Sequence, residues 1–173
     1  MYDHFSNISY LVLEAGTDCN IKCSFCPREK LVLSGNRPKK VMTLKEYDWV
    51  LSKFDENNID YIKLHGLSEA MMVPKFDQYV SLVRKHQPNS HITLITNGQY
   101  RLKSSPLLKT SPFVNEIWFS VDGVEQVYES ERKGSKWDKI IKLWDDLSCN
   151  DNFEEIRKKV YFQFTLSESN YKD

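Results

Sequence analysis

Apolar stretches with alternating side chains recur along the chain, and segments with helical spacing lie between them. The alternating stretches predict five strands, in which apolar residues at every second position share one face. These strands are predicted at residues 10–15, 61–65, 91–96, 116–121 and 160–166. Because strands and helices take turns, the sequence predicts an α/β fold with a parallel sheet and right-handed connections.

Three helices between these strands have recognisable start signals. In "MTLKEYDWVLSKF", Thr43 and Glu46 have the spacing of a capping box. In "VPKFDQYVSLVRKHQP", Pro74 is predicted to lie in the first helical turn. In "GSKWDKIIKLWDDL", Ser135 and Asp138 predict a second capping box. Weaker helical stretches are predicted at residues 105–110 and 152–158.

The two faces of the predicted strands differ in polarity. The apolar face holds Leu11, Leu13, Ile62, Leu64, Ile92, Leu94, Ile117, Phe119, Val121, Val160, Phe162 and Phe164. The opposite face holds Glu14, Lys63, His65, Thr93, Asn97, Ser120, Asp122, Gln163 and Thr165. A sheet covered by helices on both sides would be apolar on both faces. We therefore predict an open, partial barrel, with helices outside and a polar cavity inside.

Polar loops follow the carboxyl ends of the first four predicted strands. The loop after the first strand holds three cysteines, and the next three strands end in "HGLSEAM", "TNG" and "SVDG". Ligand sites in parallel α/β folds lie at this end of the strands. The sequence therefore predicts that these four loops form one site.

The cysteines indicate a metal centre with an open position. Cys19, Cys23 and Cys26 stand together in "CNIKCSFC", whereas Cys149 lies far along the chain and is interpreted as a half-buried small hydrophobe. Structural zinc usually has four protein ligands, and no second cysteine pair is nearby, although His65 could supply a fourth ligand. Three thiolates suit an iron–sulfur cube, because the fourth iron then stays open to a small molecule. Structural zinc is the alternative.

Composition narrows the possible classes of protein. The 173 residues include 24 basic and 24 acidic side chains, a balance that argues against general nucleic-acid or membrane-surface binding. The start "MYDHFSNISYLVLE" lacks the pattern of a secretory signal, and no apolar run approaches the roughly 20 residues of a membrane span. We therefore expect a cytoplasmic protein that keeps its thiols reduced and does not bind membranes or nucleic acid.

The cysteine motif resembles that of the radical S-adenosylmethionine (radical SAM) enzymes. Their C-x-x-x-C-x-x-C follows the first strand of a βα barrel, and Phe25 before the last cysteine fits the family's usual form. The segments "LHGLSEAMMVPKF", "LITNG" and "FSVDGV" resemble the ends of the family's second, third and fourth strands. "VYESERKGSKWDKII" resembles the segment after strand four in the subgroup that often carries a C-terminal SPASM or twitch extension. The resemblance thus runs in order through nearly the whole chain.

This resemblance implies an enzyme that cleaves SAM. Cys19, Cys23 and Cys26 would hold a [4Fe–4S] cluster, and SAM would chelate the open iron through its amino and carboxylate groups. One-electron reduction would give methionine and a 5′-deoxyadenosyl radical, which abstracts hydrogen from a peptide or a small-metabolite substrate. An electron donor such as flavodoxin or ferredoxin would be a partner.

The resemblance also implies SAM contacts at five positions. Phe25 would pack against the adenine, and Glu69 would accept a hydrogen bond from the amino group. Asn97 and Ser120 would meet the ribose or the methionyl part, and Arg132 would pair with the carboxylate. For the four polar residues, ordinary structural roles are the alternative. A substrate cavity and an ion-pair network are equally open interpretations for Glu14, Lys63, His65 and Gln163.

The match departs from the family pattern in two places. "GLSEA" stands where the family often has G-G-E-P, so Ala70 replaces the proline. Five strands are predicted where the family's barrel has six βα units, and no cysteine-rich stretch follows. We therefore expect residues 1–173 to form a single partial (β/α) barrel of the radical SAM type, truncated after the fifth strand, without an auxiliary-cluster domain.

Such a chain would be a fragment, a natural short form or one half of a split protein whose second chain completes the barrel. An open edge at the fifth strand is expected to make it less stable than a complete barrel. The alternative function is a non-catalytic metal-binding module, iron–sulfur or zinc, in a degenerate or split barrel.

Overall fold

The computed structural model describes residues 8–54 and 59–172, and these contain one five-stranded parallel sheet. The strands are β1 (Tyr10–Leu13), β2 (Tyr61–Leu64), β3 (His91–Thr96), β4 (Glu116–Ser120) and β5 (Val160–Gln163). Each strand pairs in parallel with the next one along the chain. This order is that of a barrel wall, because a doubly wound sheet reverses its direction at a switch point. The predicted partial (β/α) barrel is confirmed.

Seven α-helices lie within the described ranges. They are α1 (Arg28–Leu33), α2 (Leu44–Leu51), α3 (Phe76–His86), α4 (Leu107–Thr110), α5 (Glu125–Glu131), α6 (Trp137–Ser148) and α7 (Phe153–Arg157). The sequence patterns did not predict α1 and α5. Short 3₁₀ turns occur at Ser52–Phe54, Ala70–Met72, Leu102–Ser104 and Ser111–Phe113. In residues 8–54 and 59–172, no helix combines the length and apolarity that crossing a membrane would require.

The predicted capping box of α2 is confirmed. Thr43 Oγ1 accepts a hydrogen bond from the Glu46 backbone N–H at 3.1 Å, and the Thr43 N–H donates to a Glu46 carboxylate oxygen at 2.7 Å. These bonds satisfy two backbone donors at the helix end. Tyr79 fixes the entering chain, because its hydroxyl donates to the Met42 carbonyl at 2.6 Å.

The predicted starts of α3 and α6 were wrong. α3 begins after Lys75, which has a left-handed φ of 56°, so Pro74 lies outside the helix. α6 has Lys136 at its N-cap position, and the Lys136 side chain makes no capping hydrogen bond. Glu129 accepts from the Trp137 N–H at 3.0 Å instead. Ser135 stands one residue too early for the capping box that was predicted with Asp138.

The core lies between the apolar face of the sheet and the helices. Its fully buried residues include Ile62, Leu64, Ile92, Leu94 and Ile117 from the strands and Tyr47, Leu51, Val80, Val83 and Leu147 from the helices. The Tyr47 and Tyr79 rings meet edge to face, with centroids 5.2 Å apart. Burial of each such side chain contributes about 1.5–3 kcal/mol.

The side chains on the outer face of β5 are more exposed than predicted. Phe162 and Phe164 are 58% and 48% exposed, although the sequence pattern placed them on the covered apolar face. Phe162 still contacts α6, because its ring centroid lies 5.4 Å from that of Trp144. The helices therefore cover the apolar face from β2 to β4 and leave most of it open at β5. The lower stability expected from the open edge stays a prediction.

A candidate cofactor site at the carboxyl ends of the strands

The loops after β1 to β4 converge on a cavity of about 250 Å³. All eight residues predicted as cluster ligands or SAM contacts line it: Cys19, Cys23, Phe25, Cys26, Glu69, Asn97, Ser120 and Arg132. His65 lines the same cavity. A larger open depression at the amino ends of β2 and β3, lined by Tyr61 and His91, contains none of the eight. The predicted convergence of the four loops is therefore found in the structure.

The three cysteines lie on the loop between β1 and α1, and all are free and half-buried. The last residue of α5 and the segment that follows it hold this loop through backbone hydrogen bonds. The Lys22 N–H donates to the Lys133 carbonyl at 2.7 Å, and the Ser24 N–H donates to the Glu131 carbonyl at 2.9 Å. A short loop is thereby fixed by residues more than a hundred positions away.

The thiols are held in a partly desolvated environment. Burial raises the pKa of Cys19, and it raises the pKa of Cys23 to about 11. Arg132 acts on Cys23 in the opposite direction, and its Nη1 lies 3.8 Å from the Cys23 Sγ. A cation beside a thiol favours the thiolate, which is the form that binds metal.

Arg132 connects three parts of the site. Its Nη2 lies 2.7 Å from Asp122 Oδ2, and its guanidinium lies 5.8 Å from the Phe25 ring centroid. The other Asp122 oxygen accepts a hydrogen bond from the Thr165 N–H at 2.7 Å. The buried Nε of Arg132 has no hydrogen-bond partner within residues 8–54 and 59–172. Buried donors without a partner are rare in folded proteins and are typical of functional sites.

Glu69 presents a buried carboxylate to the cavity. It accepts hydrogen bonds from the Thr96 hydroxyl at 2.6 Å, from the Asn97 N–H at 2.7 Å and from the Met71 N–H at 3.0 Å. Burial raises the pKa of the Glu69 carboxyl, and these three donors act in the opposite direction. A carboxylate offers about four acceptor positions, so one is left for another donor.

Three further site residues differ in their hydrogen bonds and exposure: Asn97, Ser120 and Phe25. The Asn97 amide donates to Asn20 Oδ1 at 2.8 Å and accepts from the Gln99 N–H at 2.8 Å. The Ser120 hydroxyl makes no hydrogen bond within the described part of the chain. Phe25 is 44% exposed. Asn97 is therefore tied to the cysteine loop, whereas Ser120 and Phe25 can each meet a ligand.

Sequence reasoning missed the residues that fix the cysteine loop. Arg28 is buried, and its Nη2 pairs at 2.7 Å with Asp18 Oδ1, which also accepts from the Cys19 N–H at 3.1 Å. The Asn20 amide donates to the Gln99 carbonyl at 2.7 Å. The available signal was an arginine directly after the cysteine motif, because an arginine in a half-buried loop needs an acid partner.

The residues present fit an iron–sulfur cluster. Within the described ranges, no three His, Cys, Asp or Glu side chains are grouped as ligands of a single metal ion. The thiolates of a cubane bind different irons, so they do not need to meet at one point. Three reduced thiols on one loop border a cavity that is also lined by Arg132, whose buried Nε has no partner within the described ranges.

Comparisons with known proteins support the fold. No protein-family model matches the chain, and no curated protein matches it. Among solved structures, BtrN in complex with AdoMet and 2-DOIA is 16% identical with a TM-score of 0.65, over 91% of this chain and 56% of BtrN. Streptococcus suis SuiB is 19% identical with a TM-score of 0.67, both bound to S-adenosylmethionine and bound to its precursor peptide SuiA. Both alignments cover 95% of this chain. They cover 36% of SuiB bound to S-adenosylmethionine and 35% of SuiB bound to SuiA.

The chain therefore spans about half of BtrN and about a third of SuiB. Methylornithine synthase (PylB) is a further match, 14% identical with a TM-score of 0.56, over 83% of this chain and 42% of that one. Identities this low bear on the fold alone. At that level they confirm the resemblance that the cysteine motif predicts: the chain has the partial-barrel fold of radical SAM enzymes.

Proposed function

We propose that this chain is the barrel core of a radical SAM enzyme. The observation that carries the proposal is the convergence of three thiols, a buried carboxylate and a buried guanidinium on one cavity at the carboxyl ends of the strands. When bound there, a [4Fe–4S] cluster would supply the electron that cleaves SAM to methionine and a 5′-deoxyadenosyl radical, which abstracts hydrogen from the substrate.

Cys19, Cys23 and Cys26 would be the cluster ligands. Their loop is held on both sides, by Asp18 with Arg28 and by the backbone bonds to the end of α5 and the segment after it. A fixed loop keeps the three thiols at one side of the cavity and leaves the opposite side to the cofactor and substrate. Fixed geometry of this kind is the protein's share of cofactor chemistry.

Glu69, Arg132, Ser120 and Phe25 would orient SAM. The remaining acceptor position of Glu69 suits the amino group, and the Arg132 guanidinium suits the carboxylate. The Ser120 hydroxyl is available to the ribose or the methionyl part, and the Phe25 ring is available to the adenine. Asn97 would contribute mainly by holding the cysteine loop through Asn20.

The substrate would be a peptide or a small metabolite. One of the similar structures, SuiB, is bound to a precursor peptide. The chain spans about a third of SuiB, so the rest of a substrate site would come from further chain or from a second subunit that completes the barrel. An electron donor such as flavodoxin or ferredoxin would reduce the cluster.

The test is anaerobic reconstitution of the full chain with iron and sulfide. We expect four irons and four sulfides per chain, a cubane absorption spectrum and, after addition of reductant and SAM, release of 5′-deoxyadenosine. Replacing any of the three motif cysteines with alanine should remove the iron. Cys149→Ala is the matched control, because Cys149 is exposed and does not line the cavity, and it should keep full iron content.

Two results would overturn the proposal. Tight binding of zinc in place of iron would favour a structural metal site. A stable cluster without SAM cleavage would favour the non-catalytic metal-binding module.

A further inference from the structure

The inner face of the sheet carries a layer of aromatic side chains beneath the candidate cofactor site. Tyr10, Tyr61 and Tyr161 on this face are about half exposed, and the Trp118 and Tyr161 ring centroids lie 6.0 Å apart. His65 lines the cavity, and Lys63 precedes it by two positions on β2, so both point to the same face. Lys63 therefore starts about 7 Å deeper than His65 along the strand.

Lys63 lies between two aromatic rings of this layer. Its Nζ is 5.3 Å from the Trp118 ring centroid and 5.7 Å from that of Tyr10, which lies on the neighbouring strand β1. Cation–π contacts orient an ammonium group, but they leave its N–H donors without acceptors. Lys63 has no ion pair and no hydrogen bond within residues 8–54 and 59–172.

Arg37 and His91, two basic side chains near Lys63, already have acidic partners. Arg37 Nη2 lies 2.6 Å from a Glu14 carboxylate oxygen. His91 Nε2 lies 3.2 Å from one Glu116 oxygen, and the other Glu116 oxygen accepts from the Trp118 indole N–H at 2.8 Å. These contacts leave Lys63 as an oriented cation whose three donors point to no described acceptor.

We infer that Lys63 binds an anionic group of the substrate, a carboxylate or a phosphate, on the inner face of the sheet below the cavity. Lys63 is half-buried and its ammonium lies near two rings, so the group is preorganised. An incoming anion would gain charge-assisted hydrogen bonds at little ordering cost. Binding at this depth would orient the rest of the substrate toward the loops at the carboxyl ends of the strands. The role of Lys63 in orienting a substrate rests on the proposed function. Binding of an anion at Lys63 does not depend on that function.

The test is an NMR titration of the full chain, with and without the reconstituted cluster, at constant ionic strength. Inorganic phosphate and glutarate are the two probes, and each replaces chloride so that the ionic strength stays constant. The Trp118 indole N–H resonance reports on binding. We expect a saturable shift with at least one probe. Lys63→Gln and Lys63→Met should weaken its affinity about tenfold, and Lys63→Arg should keep it.

Lys53→Gln is the matched control, because Lys53 also lies over a tryptophan, at 4.7 Å from the Trp49 ring, but outside the barrel. It should leave the titration unchanged. A response to phosphate alone would indicate a phosphorylated substrate, and a response to glutarate alone would indicate a carboxylate.

The inference is overturned if neither probe gives a saturable shift, or if Lys63→Gln and Lys63→Met titrate like the parent chain. The cluster-free arm separates this result from the proposed function, because it involves no SAM. Failure to release 5′-deoxyadenosine would leave the anion site standing.

Discussion

Asp122 and Arg132 form a buried ion pair at the base of the cysteine loop, with Arg132 Nη2 2.7 Å from Asp122 Oδ2. Asp122 has no exposed surface, and Arg132 is 7% exposed. The pair holds the guanidinium so that Nη1 reaches the Cys23 Sγ at 3.8 Å. A residue that the sequence placed in the cofactor site thus also belongs to the structural support of the cysteine loop.

Breaking this pair should destabilise the fold strongly. Asp122→Asn keeps an oxygen for the Thr165 N–H but leaves the Arg132 charge buried without an opposite charge. We expect a loss of about 3 kcal/mol in the free energy of unfolding, measured by urea denaturation. Asp146→Asn is the control, because Asp146 pairs with Lys142 at the surface, and it should cost less than about 0.5 kcal/mol. Equal effects at the two positions would show that the buried pair is not supporting the fold.

Glu69 should contribute directly to SAM affinity if the proposed function holds. Glu69→Gln replaces one acceptor oxygen with an NH₂ group and removes the charge that the SAM amino group would meet. We expect the dissociation constant for SAM, measured by equilibrium dialysis with the reconstituted chain, to rise about tenfold. Thr96→Ser keeps the hydroxyl that donates to Glu69 at 2.6 Å and should bind SAM normally. Unchanged affinity in Glu69→Gln would remove this carboxylate from the SAM contacts.

The sheet order and the convergence of the site residues could be predicted from the sequence. Both follow from the alternation of strands with helices along the chain. Once five strands alternate with helices in a parallel sheet, their carboxyl ends lie at one edge. The loops holding Cys19, Glu69, Asn97 and Ser120 must then meet, whatever the loop conformations are. The structure brings all of them to one cavity.

Contacts that depend on loop conformation could not be predicted. Glu14 was left between two interpretations, and its partner Arg37 lies in an irregular segment without any periodic pattern. The exposure of Phe162 was missed for a related reason. Alternation assigns a side chain to a face of the sheet, but only the packing of the helices decides whether that face is covered.

Gly98 should be required at the end of β3 because of both its backbone and its surroundings. Its φ is +69°, and an added Cβ would lie 2.6 Å from Ile140 Cδ1. Gly35 has a similar φ of +74° but no atom within 4 Å of an added Cβ. We expect Gly35→Ala to cost about 1 kcal/mol in the free energy of unfolding and Gly98→Ala to cost about 1–2 kcal/mol more.

A double variant separates the two causes at Gly98. Ile140→Val removes Cδ1, so the additional cost of Gly98→Ala should largely disappear in the Ile140→Val background. Urea denaturation of the four chains in this cycle measures the coupling. If the two substitutions are additive, the close approach to Ile140 is not the source of the extra cost.

The capping box of α2 should make stability depend on pH at the acidic end. The backbone N–H of Thr43, with help from Lys40 and the Thr43 hydroxyl, lowers the pKa of Glu46 to about 2 from its ordinary value near 4.5. A carboxyl whose pKa is depressed by folding stabilises the folded state above its ordinary pKa, and this contribution is lost as the pH falls toward the folded value.

Glu46→Gln resembles the protonated side chain, so it should be less stable than the parent chain at pH 7 and should match it near pH 2. Thermal melts at pH 7, 4 and 2 measure the difference, and Glu154→Gln is the control, because Glu154 forms an exposed pair with Arg157 and caps no helix. A difference between Glu46→Gln and the parent chain that stays constant from pH 7 to pH 2 would show that the ionised carboxylate contributes nothing to the cap.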